Sequence, residues 1–267
     1  MEPTRGGLRL DLGELWRYRE LLYFLVWRDV KLRYKQTAFG LAWAVIPPVL
    51  TMIVFSVFFG RVAGLDSNGV PYPIFSFAAL LPWLFFSNGV TQAAMSLVGN
   101  VNLITKVYFP RILIPVASTL PGLLDFAIAS VVLAGLMAYY GFAPDLEALL
   151  VIPLLLVALA ASIGAGLWLG ALNVKFRDVR YALPFLFQFW LFATPVAFSS
   201  ALIDEPWRTV YGINPMAGVV EGFRWALLPT ELNPTGMILV SAVTSVVLLV
   251  SGAIYFRRTE RAFADVI

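Results

Sequence analysis

Residues 36–60 read QTAFGLAWAVIPPVLTMIVFSVFFG and contain no charged side chain. Wound as a helix at about 1.5 Å per residue, such a run exceeds the roughly 30 Å hydrocarbon core of a bilayer. A charge at mid-bilayer costs about 2.5–3.5 kcal/mol, so intervals free of charge mark the spans directly. Five more follow: 67–105, 112–144 broken only by Asp125, 148–174, 181–203 and 232–256. Trimmed to span length, they predict six transmembrane helices near 40–60, 74–95, 115–139, 149–172, 181–199 and 236–256. The composition agrees, with 60% hydrophobic residues against about 45–50% apolar residues in a soluble domain. The fold class expected is an all-α integral membrane protein.

The positions of Lys and Arg set the orientation. With the N-terminus in the cytoplasm, sixteen lie inside and only Arg61, Arg208 and Arg224 lie outside. This positive-inside bias places both termini of a multi-pass membrane protein in the cytoplasm. Two regions result, a cytoplasmic segment 1–36 and a transmembrane domain 37–267. The run 21–27 is too short, and lacks a following small-residue site, to read as a cleaved leader.

Within 1–36, DLGELWRYRELLYFLVWRDVKLRYK mixes bulky apolar residues with charge, which suits an amphipathic helix lying in the interface. Arg28, Lys31 and Lys35 fall at i, i+3 and i+7 and so share one face. Such a face attracts anionic lipid headgroups. The 19 basic residues are spread over chain ends and connections, a pattern that speaks for membrane lipids as partners and not for nucleic acid.

Several chemistries are excluded. There is no Cys and no His, which removes thiolate and imidazole metal ligands and histidine-dependent triads; no catalytic or metal site is expected. A phosphate-binding Gly-Lys-Ser/Thr loop is also absent, since Lys31, Lys35, Lys106 and Lys175 precede Leu, Gln, Val and Phe. Any ATP-driven function therefore needs a separate nucleotide-binding subunit, and no cofactor is expected in this chain.

Five features remain. Asp125, the one acid inside a span, is a proton or ion relay candidate. The alternative is a carboxylate hydrogen-bonded to neighbouring Ser or Thr hydroxyls, or held neutral, that joins helices, and it is favoured because a proton-coupled carrier calls for more than one such group. GLWLG at 166–170 permits close helix approach, more within the chain than between chains. Aromatics in the first and fifth spans, among them Trp43, Phe55, Phe185, Phe189 and Trp190, are candidates to line a channel for sugar rings, while packing and interfacial belts account for most others. The 211–229 stretch YGINPMAGVVEGFRWALLP is apolar but too short and too broken to cross, and predicts a pair of re-entrant half-helices shielded by protein. The internal loop 96–114 holds an amphipathic piece that could dock into a partner through Ile104, Val107, Tyr108 and Phe109.

RDVKLRYKQTAFGLAWAVIPP (28–48), NLITKVYFPRILIPVAS (102–118), NVKFRDVRYALPFLFQFWLFATPV (173–196) and INPMAGVVEGFRWALL (213–228) together resemble the ABC-2 type permeases that export O-antigen, teichoic acid and capsule-like polysaccharides. The resemblance implies a dimer of this chain with a pair of cytoplasmic ABC ATPase subunits that bind the ATP and Mg. It makes the 96–114 loop, with Asn102, Ile104, Lys106, Val107, Tyr108, Phe109 and Arg111, the main ATPase contact, and Arg177 and Asp178 a second one. It implies an external gate in 204–231 with Asn214, Pro215, Glu221 and Arg224. The implied substrate is a polysaccharide on undecaprenyl diphosphate, whose headgroup would be drawn to Arg28, Lys31, Lys35 or Arg33. Another ABC-2 exporter, of drugs or lipids, and an ATPase-independent secondary carrier are the alternatives.

Overall fold

The computed structural model describes residues 12–35, 40–107, 109–176, 178–230, 232–260 and Phe263. Among them there is no strand. Two helices, α1 (Leu12–Arg17) and α2 (Arg19–Tyr34), precede the first apolar run. That run forms a 3₁₀ turn, Gly40–Ala44, then α3 (Ile46–Phe55), which starts on the Pro47–Pro48 pair and continues as a π-helical stretch, Ser56–Val62. Proline is tolerated there because the first helical N–H groups have no partner within the helix.

α4 (Tyr72–Gly99) is the central post, buried around most of its circumference. A helix apolar on every side belongs in the middle of a bundle. Around it pack α6 (Leu113–Thr119), which follows the short α5 (Val101–Lys106), then α7 (Gly122–Tyr140), α8 (Val151–Lys175), α9 (Val179–Phe192), α11 (Pro215–Leu227) and α3. α10 (Trp207–Val210) is one turn, and α12 (Thr235–Thr259) lies along α8.

Five helical segments are long and apolar enough to cross a membrane: Gly40–Val62, Tyr72–Gly99, Leu113–Tyr140, Leu146–Lys175 and Thr235–Thr259. The predicted fifth span at 181–199 is only partly helical. α9 stops at Phe192 after 14 residues, about 21 Å, and 193–199 are turns. Pro195 explains the stop, since a proline disfavours the helical backbone of the residue before it. The expected pair of half-helices at 211–229 is a single one: within that stretch a 3₁₀ turn, Tyr211–Ile213, leads into the 13-residue α11, and the one-turn α10 precedes it.

Glycine decides how closely the helices pack. At Gly252 a Cβ would stand 2.4 Å from the Gly164 carbonyl oxygen, and at Gly164 one would stand 2.5 Å from the Leu249 nitrogen, so α8 and α12 touch backbone to backbone. Beside this contact Trp168 stacks on Tyr255 at 4.1 Å and donates to Ser251. The 166–170 motif serves the other side of α8: a Cβ on Gly166 would lie 2.5 Å from that of Ala93 on α4. Both motif glycines therefore work within the chain.

The bundle has two distinct ends. At one, Tyr18, Leu21 and Leu22 of the N-terminal helices share an apolar core with Ile104, Phe109, Ile112, Val174, Phe256 and Phe263. At the other lie α10, α11 and the turns after α9. Gly252→Ala is expected to lower stability by about 1–3 kcal/mol through overpacking, whereas Gly135→Ala, with no atom within 4 Å of the added Cβ, is expected to be neutral. Thermal unfolding of the detergent-solubilised protein checks both.

Candidate functional site

The sharpest piece of chemistry lies where α9 ends. The broken helix leaves backbone carbonyls without intrahelical donors, and in an apolar setting each such group must find a partner. Arg224 of α11 supplies them. Its Nη1 donates to the oxygens of Pro195 (2.6 Å) and Phe198 (3.0 Å), Nη2 to Val196 (2.6 Å) and Nε to Phe75 (3.2 Å) on α4. The guanidinium lies 3.5 Å over the Phe75 ring and pairs at 3.0 Å with Glu221 one helical turn away. Glu221 also accepts from the Ser200 N–H at 2.8 Å. Arg224 is 1% and Glu221 2% exposed.

Asn214 closes the same junction. It caps α11 by accepting from Met216 N–H, accepts from the indole of Trp190 at 3.0 Å, and donates to Ala193 and Thr194. Pro215 occupies the first turn of α11, where its missing N–H costs nothing. Thus the four residues assigned by resemblance to an external gate do converge, but as a closed clamp. Neither buried charge faces an opening.

The other end holds the basic residues. Sequence periodicity groups Arg28, Lys31 and Lys35; the tertiary structure instead brings Arg28 and Arg33 together. Both line a crevice of about 550 Å³ between α2 and the ends of α4 and α6, with Asp29, Gln92, Ser96, Asn100 and Ser118 among its walls. Lys31 is exposed and sits 5.2 Å over the Trp27 ring, and Lys35 is exposed. Helical phase concerns one helix, whereas the walls of the crevice come from three.

Asp125 is not bonded to Ser or Thr hydroxyls as the favoured expectation had it. It lies in the first turn of α7 and receives Nη1 of Arg33 on one oxygen and the Tyr34 hydroxyl on the other. The role of joining helices stands, with a different partner. Burial and the hydrogen bond to Asp125 push the Tyr34 phenol above its usual range, so it stays a proton donor. Arg33, Tyr34 and Asp125 also line a deeper cavity of about 250 Å³ with Trp43, Asn88, Gln92 and Phe126. Asn88 and Gln92 carried no sequence signal, and Tyr34 read only as an aromatic suited to the headgroup zone.

In the 96–114 loop, Ile104 and Phe109 are buried in the protein's own core and are not free to dock. The exposed face is Asn102, Thr105, Lys106 and Val107. Arg111 is tied to the end of α12 by donating to the Glu260 carbonyl. Asp178 is exposed at the start of α9, while Tyr108 and Arg177 fall outside the described residues. Of the aromatic channel candidates, Phe55 is buried, Trp190 is partly buried against Phe86 and Phe187, and Phe185 and Phe189 project from α9 at 67% and 78% exposure. Trp43 is exposed beside the deeper cavity.

Comparison with known proteins now decides the family. Residues 20–228 match the ABC-2 type transporter family. The chain belongs to that family. It is 31% identical over 254 residues to the O-antigen export system permease protein RfbA of Myxococcus xanthus, covering 94% of this chain and 97% of that one. It is 26% identical over 261 residues to RfbA of Klebsiella pneumoniae, across 97% and 98% of the two chains. The polysialic acid transport protein KpsM of Escherichia coli is 22% identical over 239 residues, 88% of this chain and 92% of that one. As an ABC-2 family member of this helical content, it is a multi-pass membrane protein.

Within this ABC-2 protein Arg224→Met should cost about 3–5 kcal/mol, because it strands Glu221 and frees backbone carbonyls in the core. The double variant Arg224→Met/Glu221→Gln should recover part of that loss, as read by thermal unfolding in a double-mutant cycle.

Proposed function

We propose that this chain is the permease half of an ATP-driven exporter that moves a polysaccharide, carried on undecaprenyl diphosphate, across the bacterial cytoplasmic membrane. The observation that carries this reading is similarity along nearly the whole chain to permeases of O-antigen export. Teichoic acid and capsule-like glycans belong to the same chemical class of cargo.

In this reading α9, extended by the turns and α11 that the Arg224 clamp binds to it, completes a sixth crossing, and both termini lie in the cytoplasm. The clustering of α2, α5, Val174, Phe256 and Phe263 at one end supports that topology. The exposed face of α5 receives the ATPase. α5 rests on the core shared with α2 and α12, so a push on it reaches the N-terminal helix and the bundle together. Two copies meet with the exposed faces of α3 and α9 turned toward a shared pathway, where Phe185 and Phe189 offer aromatic planes to sugar rings. No bond to the substrate is made or broken in this chain.

A secondary carrier would use Asp125 as its coupling acid; its engagement by Arg33 and Tyr34 favours the ATP-driven reading.

Export from vesicles holding the permease and its ATPase should require ATP, and transport by the permease alone would overturn the proposal. Lys106→Glu, on the exposed face of α5, should reduce ATP-dependent export by about tenfold, the scale of one lost interfacial charge contact, without changing thermal stability.

A further inference from the structure

Every guanidinium that lines the crevice already holds an internal carboxylate. Arg28 pairs with Asp29 at 2.8 Å, and Arg33 pairs with Asp125 across 92 positions of sequence. Arg33 and Gln92 belong to both hollows, so the Arg33–Asp125 pair stands at the boundary between the polar crevice and the deeper cavity lined by Trp43, Leu84, Phe85 and Phe126. Arg33 and Asp125 are 28% and 25% exposed at their side chains, so an incoming anion can reach them. Tyr34 holds the second carboxylate oxygen independently of Arg33.

We propose that Asp125 acts as an internal counter-anion that competes with the substrate for Arg33, and thereby makes the crevice select a diphosphate over the singly charged phosphodiesters of bulk lipid. The proposal rests on the reading of the substrate as a diphosphate-linked lipid.

The physical argument concerns what is left behind. A monoanionic headgroup that takes Arg33 replaces one ion pair by another and leaves Asp125 partly buried with no cation. The exchange is a net loss, because an uncompensated charge away from water is costly. A diphosphate carries more charge and more acceptor oxygens, forms forked bonds to a guanidinium, and reaches Arg33 and Arg28 in the same crevice. Its two phosphate groups offset the two carboxylates, Asp125 and Asp29, that they displace, which a single phosphodiester cannot do. An unpaired charge imposed on the wrong partner is a recognised route to specificity. Because Arg33 and Tyr34 form the last turn of α2 and Asp125 the first turn of α7, the same exchange loosens α2 from α7 when cargo arrives. Asp125 is thus a positioning and selectivity residue.

The native chain has no cysteine, so nitroxide labels can be placed at Phe24→Cys on α2 and Val131→Cys on α7, both exposed positions outside the crevice. The permease–ATPase complex in phosphatidylcholine nanodiscs is titrated with undecaprenyl diphosphate or with phosphatidylglycerol, and the inter-label distance is read by electron resonance. In the unmodified background the diphosphate should lengthen the distance, and phosphatidylglycerol at equal phosphate should not. Asp125→Asn, which leaves Arg33 no ion pair to exchange, should sit at the longer distance before lipid is added; its lipid binding, read by native mass spectrometry, should show the diphosphate midpoint lowered by about three- to tenfold, the scale of one ion pair, and phosphatidylglycerol bound as well. Arg33→Gln and the double variant Arg33→Gln/Asp125→Asn should respond to neither lipid.

An Asp125→Asn protein that folds, binds the diphosphate and still ignores phosphatidylglycerol overturns the selectivity role while leaving the substrate reading intact. A background protein that ignores undecaprenyl diphosphate overturns the substrate reading itself. A shift caused by inorganic pyrophosphate alone supports the exchange and assigns it to the headgroup, not the prenyl chain.

Discussion

A polypeptide that breaks a helix away from water must find donors for the carbonyls it exposes. In this protein one guanidinium does so. Arg224 accounts for the carbonyls of Pro195, Val196 and Phe198 and reaches across to Phe75, so the break after α9, the buried position of α11 and the docking of both onto α4 depend on a single side chain. Its charge is tolerable because Glu221 lies one turn away on the same helix and because the carbonyl dipoles point at it. Without that arrangement, desolvating an arginine would cost several kcal/mol. Asn214 repeats the principle on a smaller scale with neutral groups.

The opposite end is organised by a different constraint. There the helices meet through an apolar core that includes α2, α5 and the last turn of α12, while two guanidinium–carboxylate pairs, Arg28–Asp29 and Arg33–Asp125, stand at the rim. α5 is therefore joined through packed side chains to α2 and α12, and Arg33 already holds a carboxylate. One bundle thus carries one end built on a buried charge pair and another whose charge pairs are partly exposed. The close backbone contact of α8 with α12 at Gly164 and Gly252 joins the two ends.

Much of this was readable from the chain. Charge-free runs located the five long helical segments, because bilayer thickness and the cost of a buried charge are insensitive to detail. The resemblance pointed to Asn214, Pro215, Glu221 and Arg224, yet not to their contacts, since the partners of Arg224 are backbone atoms at 195–198 and 75 that have no residue signature. Ile104 and Phe109 read as a docking face because amphipathicity reports that a face is apolar without saying whether the partner is another protein or the rest of the same chain. Helical phase grouped Arg28, Lys31 and Lys35 but could not show that Arg28 and Arg33 line one crevice, because phase describes one helix and the crevice is walled by three.

The sequence by itself determined that the chain is a multi-pass helical membrane protein, where its long helices lie, that it lacks a phosphate-binding loop of the Gly-Lys-Ser/Thr type, and which family it resembles. Each of these follows from local composition or from order along the chain. Only the tertiary structure decided that Asp125 meets Arg33 and Tyr34, that Arg224 and Glu221 form a sealed clamp, that the 166–170 glycines face α4, and that α9 stops at Phe192. Those outcomes depend on which donors and acceptors, tens of residues apart, share the same dry space. Charge neutrality and hydrogen-bond satisfaction are settled there, in three dimensions.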